Sequence, residues 1–364
     1  MLKKIEIKNF KCFEQLSVEL TNLNVLAGIN SMGKSSVIQA LLLLRQSFEL
    51  GAIDKGIYLN GALINIGTGR DLLYRESKEE LVSIMIDDNE SERIWQYQYD
   101  KGSSFQKIDE ETIKAKGYNE INLFKNTFSY ISAERVGPQR FYENTSSHEV
   151  LENNQVGYRG ELFPAYLAEA TNSIENDSVI YEKHHKDRSL TFNTQMWLSE
   201  ISPGIKIKNE NYIDAGVVSL RYGDSNGEHS PLNVGFGLSY AAPVIVSLLK
   251  ARKGDLVILE NPEAHLHPKG QRKMGELISR ACAGGVQVIV ETHSDHLLNG
   301  IRLAVKNKVI SRHDTRLNYF YQEQAATNGC IHQKCSPAIL DDGSLSNWPD
   351  GFFDEWDKAI DELL

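Results

Sequence analysis

The stretch Gly28-Ile29-Asn30-Ser31-Met32-Gly33-Lys34-Ser35-Ser36 sets glycines, a lysine and hydroxyls at the spacing that wraps a chain of phosphates in backbone N–H groups. Lys34 is then placed to reach the β- and γ-phosphates, and the Ser35 hydroxyl to hold Mg²⁺. Gly28, Asn30, Ser31, Gly33, Lys34, Ser35 and Ser36 are the expected nucleotide contacts. A second glycine turn, Asn233-Val234-Gly235-Phe236-Gly237-Leu238-Ser239-Tyr240, opens a helix far downstream and makes another anion-binding helix start. One phosphate chain seldom needs two such cradles from one subunit, so Gly235, Gly237 and Ser239 are expected to serve the nucleotide of a partner copy.

Two strand ends bring further charge. Asp255-Leu256-Val257-Ile258-Leu259-Glu260 is an apolar run ending in a carboxylate, which describes a buried strand delivering Glu260 to the mouth of a sheet. Mg²⁺ bound to Ser35 would need a carboxylate there. Gln287-Val288-Ile289-Val290-Glu291-Thr292-His293-Ser294 repeats the design with His293 at its tip, placed to sense a γ-phosphate or hold an attacking water. His265 and His267 with Glu263 lack the i, i+4 spacing of a helical zinc site, and Pro268 breaks the segment. Cys330, His332 and Cys335 lack a second ligand pair at zinc spacing, so a strand-and-loop role is expected for them.

These residues require particular elements to hold them. Asn24 to Ala27 suits a buried parallel strand and Val37 to Leu50 a helix stopped by Gly51, so the glycine loop lies at a strand-to-helix turn. Unpaired N–H groups and the positive end of the helix dipole then face one spot. Residues 2–8 and 16–20 alternate in polarity as a hairpin or neighbouring strands, and Leu81 to Ile86 with Ile94 to Tyr99 read as two more. Asn9, Phe10 and Phe13 lie between the first pair, near an adenine or in the core. Gly67 and Gly69 resemble a nucleotide loop, but no Lys-Ser or helix start is expected after them.

Residues 101–126 read as a surface excursion with a short amphipathic helix. Phe128 to Ser132 is strand-like and leads to Arg135 and Arg140, which bracket Gly137-Pro138 and would touch phosphates, an opposite subunit or each other's turn through salt bridges. Residues 141–215 form a mainly helical insertion containing the most basic run, Tyr181 to Arg188, either a nucleic-acid or partner contact or a solvated face. Val217 to Tyr222 and Leu317 to Gln322 are expected strands, with Ile331 to Ala338 pairing with the latter. An amphipathic helix to Leu364 is expected to be docked by Trp348, Phe352 and Phe353.

Bulk composition narrows the class. The chain has 364 residues, 41% hydrophobic and 24% charged, with a net charge of −10. No apolar run approaches the roughly 18 residues of a membrane helix, and the start, Met1-Leu2-Lys3-Lys4-Ile5-Glu6, has no apolar signal core. Four scattered cysteines do not make a disulfide framework. A cytoplasmic protein without membrane contact is expected. The acidic balance confines any DNA contact to a local patch or to shape.

Taken in order, the phosphate loop, second glycine turn, strand-end carboxylate and strand-end His resemble the ABC-type ATPases of the SMC, RecF and OLD group, firmly over residues 1–50 and 230–300. Ile5-Glu6-Ile7-Lys8-Asn9-Phe10-Lys11-Cys12-Phe13 is similar to the start of those heads. Gly28 to Ser35 matches Walker A, Gly235 to Ser239 stands at the signature loop without its usual Ser-Gly-Gly order, Glu260 matches the Walker B acid and His293 the switch His. Asn261 stands where many relatives have the catalytic Glu; an amide orients water but is a poor base, so Glu263 or His293 compensates or turnover is slow. The segment from Asp342-Gly343 through Phe353 resembles a C-terminal segment of unknown function in small bacterial ATPases of this kind.

The resemblance implies an α/β fold, an ABC-type P-loop ATPase head with a β-rich N-terminal lobe and a helical insertion. One domain is expected, built from 1–140 with the phosphate loop, the insertion 141–215, a C-terminal lobe 216–310, and C-terminal strands and helix in 311–364. It implies ATP and Mg²⁺ as ligands, with Ser35 and Glu260 on the metal and Lys34, Glu260, Glu263 and His293 in catalysis. A head-to-head homodimer would sandwich nucleotide and act as motor or switch for an effector protein, in phage defence or DNA maintenance, without the nuclease domain of DNA-cutting OLD relatives. An ATP-gated DNA clamp with negligible turnover is the alternative. A P-loop kinase or GTPase is disfavoured because no Asn-Lys-x-Asp segment is present to read guanine.

Overall fold

The computed structural model describes residues 1–109, 117–144, 156–169, 174–181, 187–224, 227–324, 330–349, 351–352 and 355–363. A six-stranded sheet runs through the middle in the order Cys330–Cys335, Thr315–Gln324, Leu23–Gly28, Gln287–Glu291, Leu256–Glu260, Ser129–Ile131. All neighbours are parallel except the edge strand Cys330–Cys335, which is antiparallel to Thr315–Gln324. The expected strands at 24–27, 128–132, 217–222 and 317–322 are present, with ends shifted by no more than two residues.

Because side chains alternate across a strand, a parallel strand covered on both sides must be apolar throughout. Val25, Val257, Leu259, Val288 and Val290 face one core, packed under the helices Phe236–Lys250, Pro268–Ala283 and Asp295–Lys306. Leu26, Leu256, Ile258 and Ile289 face the other, shared with the helix Lys34–Glu49 and an antiparallel sheet. That second sheet has the order Phe13–Glu19, Lys4–Phe10, Leu81–Asp87, Glu92–Gln98, so the expected hairpin and the β-rich N-terminal lobe are both found.

One buried amide joins the two sheets. Gln287 Oε1 accepts from Leu2 N at 3.0 Å and from Asn122 Nδ2 at 3.0 Å, while its Nε2 donates to Leu2 O at 2.7 Å and Thr21 O at 2.9 Å.

Four expectations need correction. The insertion is not simply helical: besides the helices Phe163–Glu169 and Leu190–Ile201 it contributes the strand Lys206–Tyr212, antiparallel to Val217–Asp224, and Tyr142–Glu143 pairs on the far side. Of segment 101–126, residues 110–116 lie outside the described residues, and the part from Gly117 on is not a surface excursion, because Ile121, Leu123 and Phe124 are buried, with the Phe124 ring against Trp95 and Phe48. A helix start does follow Gly67, the single turn Gly69–Leu72. Its N–H groups are already taken: Asp71 accepts from Thr68 N in a capping box in which the Thr68 side chain accepts from Asp71 N, and Gly69 N and Arg70 N donate to Ser103 O and Lys101 O, so no anion is needed there. Phe352 docks against Tyr319 with ring centroids 4.9 Å apart and half-exposed Trp348 packs on Phe352 at 5.3 Å, but the helix Glu355–Leu363 that follows ends with Leu363 84% exposed; Phe353 lies outside the described residues.

Within the basic run, residues 182–186 lie outside the described residues, and Arg188 is bound to Asp177 and to Ile174 O. No helix of the described residues is long and apolar enough to cross a membrane.

Gln287→Leu strands the Leu2 backbone groups and the Asn122 amide without partners in a dry layer. It is expected to lower unfolding free energy by about 2–4 kcal/mol, read as a fall in the urea midpoint with unchanged slope; an unaltered midpoint would show that the two sheets are joined by apolar packing alone.

Candidate functional site

The strand Leu23–Gly28 ends in the middle of the parallel sheet, and the chain then turns through residues 29–33 into Lys34–Glu49. The turn needs two of its glycines for lack of space. A Cβ on Gly28, whose φ is +144°, would lie 2.4 Å from Phe320 O, and one on Gly33, at φ +95°, would lie 2.4 Å from the Phe13 ring. Phe10 and Phe13 are therefore core residues that support the loop from below and not a platform for a base. Asn9 is buried too, its amide donating to Leu81 O at 2.9 Å.

The loop opens into a cavity of about 470 Å³. Of the residues expected at the site, Asn30, Ser31, Gly33, Lys34, Ser35, Ser36 and His293 line it, and Gly28, Glu260 and Glu263 do not. Lys11, Cys12, Gln39, Asp71, Leu73 and Glu291 also line it and were not anticipated. The first two come from the hairpin turn, whose length gives no hint that it folds over the loop; Lys11 Nζ donates to Gln39 Oε1 at 2.6 Å across the cavity wall. Lys34 Nζ donates to the carbonyls of Gly28 at 2.9 Å and Ile29 at 2.7 Å, so its ammonium is held over the loop.

The carboxylate that meets Ser35 is Glu291, not Glu260: Ser35 Oγ donates to Glu291 Oε1 at 2.9 Å. Register explains the difference. Gln287–Glu291 lies directly beside Leu23–Gly28, with Glu291 opposite Leu26, whereas Leu256–Glu260 is one strand further away. Glu260 sits next to Glu291 in the ladder and takes Ala133 N at 3.1 Å on its Oε2. Glu291 was legible as a second strand-end carboxylate with the period of Glu260, but its companion His293 drew the assignment.

Burial, reinforced by neighbouring Glu260, pushes the Glu291 carboxyl up to about 7, and burial also raises Glu260 and Glu263. Glu263 Oε1 accepts the His293 backbone N–H at 2.9 Å and thereby fixes the His293 turn. Burial lowers the His293 imidazole, followed by the nearby Lys34 charge, so the ring is neutral at pH 7. Asn261 adopts a left-handed φ of +44°, and its N–H donates to Glu291 O at 2.9 Å.

Three oxygens at this strand mouth, Glu291 Oε2, Glu263 Oε2 and Asn261 Oδ1, are buried with no hydrogen-bond partner among the described residues. Unanswered buried acceptors beside a serine hydroxyl are the donor set a hard divalent cation and its waters would satisfy, so the residues present fit Mg²⁺.

The second glycine turn stands apart, outside the cavity lining. Gly235 caps the helix Phe236–Lys250 without a side-chain bond and is exposed, as are Asn233 and Phe236. Gly237 is pressed on the following loop, where a Cβ would lie 2.7 Å from His265 O. Ser239 is a correction: it is buried in the first turn and does not face outward.

Arg135 is not a phosphate contact either, because its buried guanidinium donates to Glu260 O at 3.0 Å and Asn261 O at 2.5 Å and lies 5.4 Å from the centre of the Tyr240 ring. His265 packs on Tyr240 at 4.6 Å, and His267 Nδ1 caps the helix Pro268–Ala283 by accepting from Lys269 N. His332 reaches back to the loop, its Nε2 3.3 Å from Ser31 O.

Residues 23–299 match the family model described as "AAA domain, putative AbiEii toxin, Type IV TA system". The chain belongs to that AAA family. Residues 310–363 match a second family, described only as a protein of unknown function, DUF3696. Among solved structures, the AAA domain with its C-terminal segment is similar to an Smc head domain with an extended coiled coil, bound to the C-terminal domain of ScpA, from Pyrococcus furiosus. The two share 13% identity and a TM-score of 0.53, over 100% of this chain and 99% of that one. It is also similar to an Smc head bound to the C-winged helix domain of ScpA, with 14% identity and a TM-score of 0.51, over 93% and 98%. No curated protein matches. The fold is that of an SMC/RecF-like ABC-type P-loop ATPase, and the AAA family supports an ATP-binding ATPase in general.

The raised Glu291 pKa has a definite sign for stability. A carboxyl with a higher pKa folded than unfolded binds extra protons in the folded state between about 4.5 and 7, so stability falls as pH rises through that window. For the nucleotide-free protein the fall is expected to be on the order of 3 kcal/mol. Urea unfolding at pH 5 and pH 8 measures it, and Glu291→Gln should remove most of the difference; an equal fall in that variant would place the titration elsewhere.

Proposed function

We propose that this chain is a slow, Mg²⁺-dependent ATP hydrolase whose two copies close head to head around nucleotide and switch a partner protein. The observation that carries the hydrolase reading is the Ser35–Glu291 contact at the foot of the Lys34 loop, with buried carboxylate oxygens left unanswered beside it.

Lys34 would leave the Gly28 and Ile29 carbonyls for the β- and γ-phosphate oxygens, an exchange between acceptors already within its reach. Ser35 and Glu291 would hold Mg²⁺, with Glu260 alongside, and the ion would supply positive charge to the β- and γ-phosphate oxygens. His293, neutral and held by Glu263, is suited to donate to a γ-phosphate oxygen or to hold the attacking water. Asn261 orients water without accepting its proton. Glu263, buried and raised in pKa, has the chemistry of a base. That arrangement supports slow turnover.

Dimerisation is supported by the position of the exposed Gly235 turn, away from the chain's own cavity yet tied through Tyr240 and Arg135 to the Glu260 strand end. The exposed Gly235 N-terminus of a fifteen-residue helix offers a partner's γ-phosphate the positive end of a dipole. A partner protein is supported by the two similar Smc heads, both bound to a domain of ScpA. A defence role is supported by the family description, which names a putative toxin of a type IV system.

Phosphate release and sedimentation with ATP and Mg²⁺ test this. Lys34→Ala should abolish both hydrolysis and nucleotide-dependent dimerisation; a Lys34→Ala chain that still dimerises and turns over would sink the proposal. Asn261→Glu supplies a carboxylate beside the attacking position and is expected to raise kcat about tenfold or more. A Glu there with wild-type turnover would mean that proton removal does not limit the rate.

A further inference from the structure

A second cleft, of about 410 Å³, opens beside the Gly235 turn on the outer face of the insertion sheet. Arg140, Phe141, Tyr212, Arg221, His229 and Asn233 line it. The Phe141 and Tyr212 rings meet edge to face at 6.2 Å yet remain 48% and 43% exposed. Neither Arg140 nor Arg221 is in an ion pair or hydrogen bond among the described residues. The acids on the same face are already engaged, since Lys208 bridges Glu210 at 3.1 Å and Glu228 at 3.2 Å, and Tyr212 donates to Glu210 at 2.7 Å. Glu228 also lines the cleft, and Arg221 acts through charge on Glu210, but neither arginine is hydrogen-bonded through its side chain, so two cations beside aromatic rings suit an acidic segment with apolar side chains.

The chain carries such a segment. Glu355–Leu363 reads Glu-Trp-Asp-Lys-Ala-Ile-Asp-Glu-Leu, four acids against one lysine, and Asp361, Glu362 and Leu363 are exposed. It leaves the body beside the phosphate loop: Gly351 lies against Ile29, where an added Cβ would be 3.7 Å from Ile29 Cδ1, and Phe352 is buried on Tyr319. Nine helical residues reach about 14 Å from that anchor.

We infer that the C-terminal helix of each copy docks in the Arg140–Arg221 cleft of the other when the two heads close on nucleotide. The inference rests on the head-to-head reading, because only there does one copy's phosphate loop, with the helix beside it, face the other copy's Gly235 turn. Asn233, at the edge of the cleft, is two residues from Gly235. Nucleotide-driven closure then becomes a change in the accessibility of the C-terminal segment.

Sedimentation of the full chain with ATP and Mg²⁺ tests it through exposed residues, whose replacement leaves folding nearly untouched. Arg140→Glu/Arg221→Glu and Asp361→Lys/Glu362→Lys are each expected to weaken the ATP-dependent dimer about tenfold or more, and combining all four to restore most of the loss, since the charges are exchanged across one contact. Wild-type affinity in both reversed chains overturns the docking and leaves the head-to-head dimer standing. A wild-type chain that stays monomeric with ATP overturns both. Binding of a single-stranded oligonucleotide that Arg140→Glu/Arg221→Glu abolishes, while Asp361→Lys/Glu362→Lys neither alters it nor weakens the dimer, assigns the cleft to nucleic acid and overturns the docking.

Discussion

Parallel pairing of Leu23–Gly28 with Gln287–Glu291 is the constraint on which the rest depends. It fixes Glu291 against Ser35 and sets Glu260 beside it on the next strand, so two carboxylates share one poorly solvated strand mouth. Like charges at that spacing, out of water, oppose ionisation of the pair. The apolar strands behind them keep the arrangement in place regardless, because Val257, Ile258, Leu259, Val288, Ile289 and Val290 fill two cores at once and leave the strand ends nowhere to shift. The strand mouth is a stored electrostatic demand that a divalent cation, or a proton, would meet.

Around this mouth, the connections are short and polar. Arg135 grips the Glu260 and Asn261 carbonyls and lies against Tyr240, and Tyr240 belongs to the helix that begins at Gly235. The Glu260 turn and the helix of the second glycine turn are thus joined through Arg135 without passing through solvent. On the opposite side, Ser31 touches His332 and Ile29 touches Gly351, so the phosphate loop is also in contact with the segment matched to a family of unknown function. The loop has one neighbour that reads the strand mouth and another that reaches the C-terminal segment.

Much of this was legible in the sequence where local pattern and global position agree. Gly28 to Ser36 announces its strand, turn and helix through residues adjacent in the chain, and the apolar runs before Glu260 and Glu291 announce buried parallel strands. What depended on strand order was not legible: nothing local says that Gln287–Glu291, and not Leu256–Glu260, is the neighbour of Leu23–Gly28, and that order puts Glu291, not Glu260, against Ser35. Ser239 shows the limit of motif spacing, since one turn of helix rotates it from the exposed end into the core. Phe10 and Phe13 show the same limit for aromatics, as their burial follows from a hairpin folded over the loop. The strand Lys206–Tyr212 was missed because its residues alternate only weakly in burial and its partner lies beyond a tight turn.

The contact between loop and C-terminal segment gives the small edge strand Cys330–Cys335 a role beyond closing the sheet. Gly28 can take its position only because it lacks a Cβ that would strike Phe320 O, and Phe320 is in the strand to which that edge pairs. Phe13 sits between them, touching the underside of Gly33 and standing edge-on to His332 at 5.9 Å. A phosphate drawn into the loop therefore acts on residues whose packing is shared with the C-terminal strands. In close-packed protein such shared contacts move together or not at all. The C-terminal segment is joined to this packing at Gly351, beside Ile29, and at Phe352, on Tyr319.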